Sequence, residues 1–394
     1  MADDKADGRD LDLVLLGATG FTGGLTAEYL AAHAPAGLRW ALAGRSADKL
    51  ARVRDRLAAD HPGAADLELV VVDATDPVGL RSMAERTRAV ATTVGPYQQH
   101  GEPLVAACAA AGTDYLDLTG EPEFVDRMWL AHHGTAQASG ARLVHCCGFD
   151  SIPHDLGVLH AVRQLPDDEP ITAYGVVRAT GTFSGGTFHS ALNAFGRAGE
   201  MRKAYAERRR AEPRPEGRRS RAVAAKPHRD SRLGYWLVPL PTIDPAVVAR
   251  SGAALASYGP DFRYSHFAGT RTLRYAAGGL LGAGAIGLAA QVAPLRKALL
   301  SRVPQGEGPD EQRRERSRFT VDVVATAGSR TVHTRVSGGD PGYTETAKML
   351  GESALCLLID DNPTTAGQVT TAQAMGENLL LRLQNAGIRF ETLP

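Results

Sequence analysis

Three glycines spaced three apart, Gly17, Gly20 and Gly23, are the first residues in this chain whose type and spacing carry chemistry. They follow an apolar run, Leu13-Val-Leu-Leu16, and precede an amphipathic stretch from Leu25 to Ala32. A buried strand that turns sharply into a helix leaves backbone N–H groups at the helix N-terminus, and glycine lets a diphosphate come close to them. Gly17, Thr19, Gly20, Phe21, Thr22 and Gly23 are therefore candidate cofactor contacts. The spacing differs from the commoner G-x-G-x-x-G. Its weight comes from its place between a strand and a helix, with a second strand at the distance of a dinucleotide-binding unit.

That second strand, Leu38 to Gly44, runs into Arg45 and Ser46 where an NAD site would place Asp or Glu. A carboxylate there would accept from the adenosine ribose and repel a 2′-phosphate. Arg45 instead offers a planar, permanently charged fork, with Ser46 as a hydroxyl donor and Lys49 one turn on. The expected cofactor is NADP(H). A third strand, Leu67 to Asp73, places Asp73 and Ala74 to flank the adenine, although Asp73 would equally serve as a helix cap.

Three further polar clusters follow later strands. Gly95-Pro96-Tyr97 comes after the fourth, Ala89 to Val94, at the level of the nicotinamide ribose; Gly95 permits close approach and Pro96 stiffens the loop. Tyr97 is there to donate a proton, to stack, or simply to pack. Glu121, beyond the fifth strand (Tyr115 to Gly120), either orients the nicotinamide ribose or amide or caps the helix from Pro122. The sixth strand, Arg142 to Cys147, leads to Asp150 and Ser151, of which one is expected to cap the helix that contains Pro153. Asp150 is also the best general acid or base, since partial desolvation at a strand end raises a carboxyl pKa. His145 and Cys147 are weaker candidates for proton transfer. Adjacent Cys146 and Cys147 point to opposite faces of a strand, and no C-x-x-C or H-E-x-x-H spacing occurs, so no metal site is expected.

Six strands with intervening helices over residues 11–150 make an α/β, doubly wound parallel sheet of the Rossmann type, after a flexible tail at 1–10. Residues 151–394 read as a second, mixed α/β (α+β) domain. Ile171 to Thr180, Phe319 to Thr326 and Ser329 to Val336 alternate with period two, as strands of an antiparallel or mixed sheet do. Thr182 to Thr187 reads as a turn into a helix from Phe188 to Tyr205. Tyr343 to Leu358 and Gln373 to Gly387 read as helices that pack on the second domain or return to the first.

The 394 residues carry 44 basic and 44 acidic side chains, which gives no global field for nucleic acid. Four cysteines, two of them adjacent, suit a reducing cytoplasm rather than a disulfide framework. The polar, acidic N-terminus has no signal-peptide character. Two segments stand out. The stretch 202–232 is rich in Lys and Arg and reads as a long exposed loop that would attract an acidic partner or anionic lipid. The uncharged Gly- and Ala-rich segment 276–290 is short for a spanning helix; it reads as a buried or interface helix, with peripheral membrane or acyl-chain contact as the alternative.

Taken in order, Gly17-Ala-Thr-Gly-Phe-Thr-Gly23, Ala43-Gly-Arg-Ser46 with Lys49-Leu50, and Val94-Gly-Pro-Tyr97 form a recognisable set. Ala107-Cys108, Gly112-Thr-Asp-Tyr115, Asp117-Leu-Thr-Gly-Glu121 and Cys147-Gly-Phe-Asp-Ser-Ile-Pro153 continue it. The set resembles the saccharopine-dehydrogenase-like oxidoreductases, and among them the actinobacterial trans-acting enoyl reductases that serve polyketide synthases. The resemblance is detailed over 11–160 and general beyond. It implies NADP(H) binding and reduction of a carbon–carbon double bond on a lipid-like or carrier-bound acyl thioester. An imine reductase acting on an amino-acid conjugate and a non-catalytic NADP-binding regulator or membrane-associated scaffold are the competing readings.

Overall fold

The structure, a computed structural model, describes residues 8–180, 192, 196–300 and 308–394. Strand β1 (Leu11–Leu16) is buried along its whole length, as an apolar run between two helical layers must be. It sits inside a seven-stranded parallel sheet with β2 (Trp40–Gly44), β3 (Glu68–Val71), β4 (Thr87–Thr92), β5 (Asp114–Asp117), β6 (Arg142–Val144) and β14 (Gly367–Val369). The order is β14-β6-β5-β4-β1-β2-β3. The chain grows from β1 towards β3 on one side and from β4 towards β6 on the other, so the switch point lies between β1 and β4.

The second sheet holds β7 (Ile171–Thr180), β8 (Arg219–Ala222), β9 (His228–Arg229), β10 (Trp236–Pro239), β11 (Asp261–Thr270), β12 (Arg318–Ala327), β13 (Arg330–Gly338) and β15 (Arg389–Leu393). It is mixed: β11 runs parallel to β7 and β8, while β12, β13 and β15 pair antiparallel. The period-two segments of the sequence are its strands. Helix α7 (Ile152–Val162) packs on this sheet, and Gly157 lets it approach, since a Cβ there would lie 2.9 Å from Val336 Cγ2.

Sequence and structure part company in four places. The Rossmann sheet is completed from the far end of the chain: β14 pairs with β6, and the helix Thr344–Ile359 packs against β4 and the helix Phe21–His33. Arg88 and Arg142 donate to the last carbonyls of that helix, at Leu358 and Leu357, which suits its negative end. The division at residue 150 is thus one of strand order and not of packing. The tail is also shorter than expected, because Arg9 is anchored by bonds to Thr87 O, Ala111 O and Thr113 Oγ1.

Nor is 202–232 one long loop. Its first part belongs to the helix Ala198–Ala211, whose buried Arg208 pairs with Asp126 and Glu212, and later parts form β8 and β9. An Arg can be buried when carboxylates flank it on two sides. The predicted turn at 182–187 and the start of its helix lie outside the described residues. Finally, 276–290 is a helix, Leu273–Gln291, but not a buried one: Tyr275, Leu281 and Leu288 are 73%, 76% and 74% exposed.

Asp155 joins these parts. Fully buried in α7, it accepts from Ser251 Oγ at 2.5 Å, Thr371 Oγ1 at 2.8 Å and Ala372 N at 2.9 Å. Asp155→Ala leaves those donors without their acceptor inside the core. The expected loss is about 3 kcal/mol, read as a lower urea midpoint; an unchanged midpoint would deny Asp155 this joining role.

Candidate active site

Helix α1 (Phe21–His33) begins without a side-chain cap and without an acid in its first turn, so its N–H groups stay available to an anion. Gly17 holds φ at +93°, and a Cβ on it would lie 2.6 Å from Thr93 Oγ1. A Cβ on Gly23 would lie 2.1 Å from the Gly17 carbonyl oxygen. Two of the three glycines are therefore fixed by close packing of the turn on itself and on the end of β4, and Gly20 takes the N-cap position. Thr93, which the motif reading passed over, donates to Gly17 O at 3.2 Å and locks the turn to β4. Thr19 faces Gly44 at the end of β2. Phe21 contributes through its backbone only, since its ring packs edge-on against Tyr343 with 4.9 Å between centroids.

At the end of β2, Arg45 is exposed and attracts Asp73; among the described residues no ion pair holds its guanidinium. Ser46 is the N-cap of helix α2 (Ala47–Asp60), accepting from Lys49 N at 3.4 Å, and Lys49 is exposed beside it. Its hydroxyl hydrogen remains able to meet a phosphate. Asp73 does not cap the next helix. It closes a turn by accepting from Thr75 N and Oγ1, and these bonds, the hydroxyl first, lower its pKa. Asp76 is the cap instead. Ala74 is half-buried next to it. A glycine cradle, an uncapped helix and an unpaired Arg where an NAD site carries an acid together fit a dinucleotide with a 2′-phosphate.

Across the switch point, the structure assigns different work to Tyr97 and Glu121. Tyr97 is buried; its hydroxyl donates to Thr92 O and accepts from Leu118 N, both at 3.1 Å. Burial, with the charge of Asp117 next, pushes its pKa well above the ordinary value. It ties β4 to β5 and is not placed as a proton donor. Glu121 does not cap its own helix, Pro122–Ser139. Its carboxylate accepts from Tyr97 N at 3.2 Å and Gln98 N at 2.9 Å, clamping the Gly95-Pro96-Tyr97 loop. Gly95 is exposed there and Pro96 half-buried.

Beyond β6 the chain turns through Cys146, which has a φ of +64°, an uncommon conformation for a residue with a Cβ. Cys147 is buried, and burial first and Asp117 second raise its thiol pKa far beyond use as a proton carrier. Ser151 takes the N-cap position of α7, as the capping preference expects, although its hydroxyl makes no cap bond. The Asp150 carboxyl is half-buried, makes no hydrogen bond among the described residues, and stands 3.6 Å from the Cβ position of Gly120. Burial, then the negative charge of Asp244, pushes its pKa up to about 7. Asp150 is the best placed acid at the ends of β4, β5 and β6: its carboxyl reaches the surface and its pKa is raised, whereas His145 Nε2 and Ser151 Oγ, also without hydrogen-bond partners, are buried.

Comparison with known proteins agrees with this geometry. Residues 13–144 match the model of the saccharopine dehydrogenase NADP-binding domain. A putative trans-acting enoyl reductase of Mycobacterium tuberculosis is 39% identical over 98% of both chains, and a trans-acting enoyl reductase of Mycobacterium ulcerans is 38% identical over 96% of this chain and 97% of its own. This chain is a saccharopine-dehydrogenase-like oxidoreductase, in the branch of the trans-acting enoyl reductases. The apo saccharopine dehydrogenase (L-Glu forming) of Saccharomyces cerevisiae shares the fold at a TM-score of 0.55 and 12% identity, over 98% of this chain and all of that one. The oxidoreductase uses NADP(H).

Removing the Arg45 fork tests the nucleotide side. Arg45→Ala is expected to weaken NADPH binding about tenfold to hundredfold, the range of a charge-assisted hydrogen bond, and to leave NADH binding unchanged. Fluorescence titration with both nucleotides checks it, and equal losses for the two would deny contact with the 2′-phosphate.

Proposed function

We propose that this oxidoreductase reduces the double bond of an enoyl thioester, brought by a polyketide synthase or its acyl carrier, with NADPH as electron donor. The observation that carries the reading is the Asp150 carboxyl, without a hydrogen bond among the described residues, on the β4–β6 side of the switch point, where burial and the charge of Asp244 raise its pKa. The full-length likeness to proteins named enoyl reductases supports the substrate class.

Bound NADPH supplies a hydride. Gly17 to Gly23 and Arg45 hold the nucleotide, while Glu121 keeps the 95–98 loop in place. Hydride addition at the carbon β to the thioester shifts the π electrons towards the carbonyl, and the α carbon then takes a proton from the Asp150 carboxyl. The products are the saturated thioester, NADP⁺ and a carboxylate that solvent reprotonates.

Asp150→Asn is expected to lower turnover of an enoyl thioester by about a hundredfold or more with NADPH affinity intact, the size of a general-acid contribution. Tyr97→Phe should lower stability more than turnover. Full activity of Asp150→Asn would remove Asp150 as the acid. NADPH oxidation with keto-acid and amine mixtures, but not with enoyl thioesters, would favour an imine reductase; tight NADPH binding without oxidation by either would favour a regulator.

The exposed helix Leu273–Gln291 supports a protein that rests on a bilayer. By length and composition it could cross a membrane, and it lies mostly outside the core. No acidic residue occurs between 262 and 306, while Arg271, Arg274, Arg296 and Lys297 border the helix and its successor, Ala293–Leu300. Apolar side chains ringed by cations fit an anionic lipid surface. In vesicle flotation, the chain should rise with phosphatidylglycerol vesicles and less with phosphatidylcholine, and the double variant Leu281→Glu, Leu288→Glu should stay at the bottom. Wild-type protein that ignores both vesicles would rule the contact out.

A further inference from the structure

Four buried polar atoms without a hydrogen-bond partner belong to three side chains that meet where α7, the helix Asp244–Ala254 and β11 converge. They are Nδ1 and Nε2 of His154, Oδ1 of Asp244 and Nε2 of His266. All three residues are buried, and one ligand-type atom from each lies within 4.8 Å of the others. Each such atom left unsatisfied in a core costs about 1–3 kcal/mol, so a cluster of them calls for something to which all can bind.

The geometry says what. His154 Nδ1 approaches Asp244 Oδ1 to 3.1 Å and His266 Nε2 approaches Asp244 Oδ2 to 3.6 Å; each is an ion pair when its ring is protonated, and neither has hydrogen-bond geometry. Both imidazoles thus crowd one carboxylate. Neighbouring ligands on a tetrahedral shell with bonds of about 2.0–2.1 Å lie about 3.3 Å apart, so the three side chains, within 4.8 Å of one another, would draw slightly together on an ion. The outer contacts match as well. Tyr264 Oη lies 3.1 Å from His266 Nδ1, and in the tautomer where the Nδ1 hydrogen goes to Oη the Nε2 lone pair is left for a cation. Thr242 Oγ1 donates to Asp244 Oδ2 at 2.5 Å and fixes the carboxylate. Such partners orient ring and carboxylate in metal sites.

We propose that His154, Asp244 and His266 bind a divalent first-row transition cation, zinc above all. Two imidazoles and one carboxylate suit zinc and its neighbours and not magnesium or calcium, which favour all-oxygen shells. The cation would staple the helix that leaves the Rossmann sheet to the second sheet. Its ligands lie 90 and 22 residues apart, which explains why no spacing motif announces them.

The test uses the full chain, free of any histidine tag. Elemental analysis of protein grown with zinc should find one equivalent. After chelation, cobalt(II) should restore one equivalent with the intense visible bands of a four- or five-coordinate site, displaced by zinc. X-ray absorption of the zinc-loaded wild type should count two imidazoles. Asp244→Asn and His266→Gln, where they fold by circular dichroism, should lose the cobalt bands. Zinc well below one equivalent together with no cobalt bands at millimolar metal would overturn the site. So would a shell lacking two imidazoles, or folded variants that keep the bands. None of these readouts needs NADPH or substrate. Because the charge of Asp244 also acts on the Asp150 carboxyl, the metal content, cobalt bands and ligand count decide the site, and the Asp150→Asn turnover decides the acid, so the two proposals fail separately.

Discussion

One buried carboxylate, Asp117, fixes where the functional loops begin. It is fully buried at the end of β5 and accepts from Thr119 N and Cys146 N, both at 3.0 Å, and from the Tyr115 hydroxyl at 2.9 Å. His145 Nδ1 stands 2.6 Å from Oδ2, the oxygen that accepts from Tyr115. A charge in the core is tolerated only when such donors surround it, and removing it would strand all of them at once. The Thr119 bond starts the loop that delivers Glu121, and the Cys146 bond holds the left-handed residue from which the chain turns towards Asp150. The carboxylate touches no reactant, yet both arms of the site hang from it.

The division of labour between the two sides of the switch point follows. On the β1–β3 side the backbone does most of the work, through glycines packed too tightly for a Cβ and a helix end left without a cap. Recognition there falls to a single charged side chain at the end of β2. On the β4–β6 side, side chains hold other loops in place: Tyr97 bridges two strands, Glu121 clamps a loop and Asp117 anchors two. Asp150 keeps an unbonded carboxyl that reaches the surface, while the other unbonded polar atoms at this end of β6, His145 Nε2 and Ser151 Oγ, are buried. Access rather than scarcity singles out the acid.

The parts of this architecture that were legible in the sequence are those encoded locally. Leu13 to Leu16, the three glycines and Arg45 announce their roles within a few residues, and the period-two runs at 171–180 and 319–336 do the same for the second sheet. The misreadings share a physical cause: each depended on a tertiary partner that no local pattern shows. The capping preference did place Ser151 at its N-cap, but it could not show the absence of a side-chain bond there. Tyr97 looked like a donor until Leu118 and Thr92 occupied its hydroxyl. Arg208 read as one cation in a solvated run, while Asp126, more than eighty residues earlier, draws it inside. Three residues, Gly367 to Val369, are too few to show a strand by pattern, so the closing edge of the first sheet went unseen.

That closing strand has a consequence for how the protein is made. During synthesis the first six strands leave the ribosome more than two hundred residues before the seventh. Over that interval β6 presents a bare edge, and the surface later covered by Thr344–Ile359 is open to water and to other nascent chains. The nucleotide-binding sheet therefore waits for its edge strand until nearly the whole chain is made, although its other strands are translated first. A truncation after β13 would remove that edge strand together with β15 of the second sheet, so the apparent order of domains along the chain is a poor guide to where it can be cut.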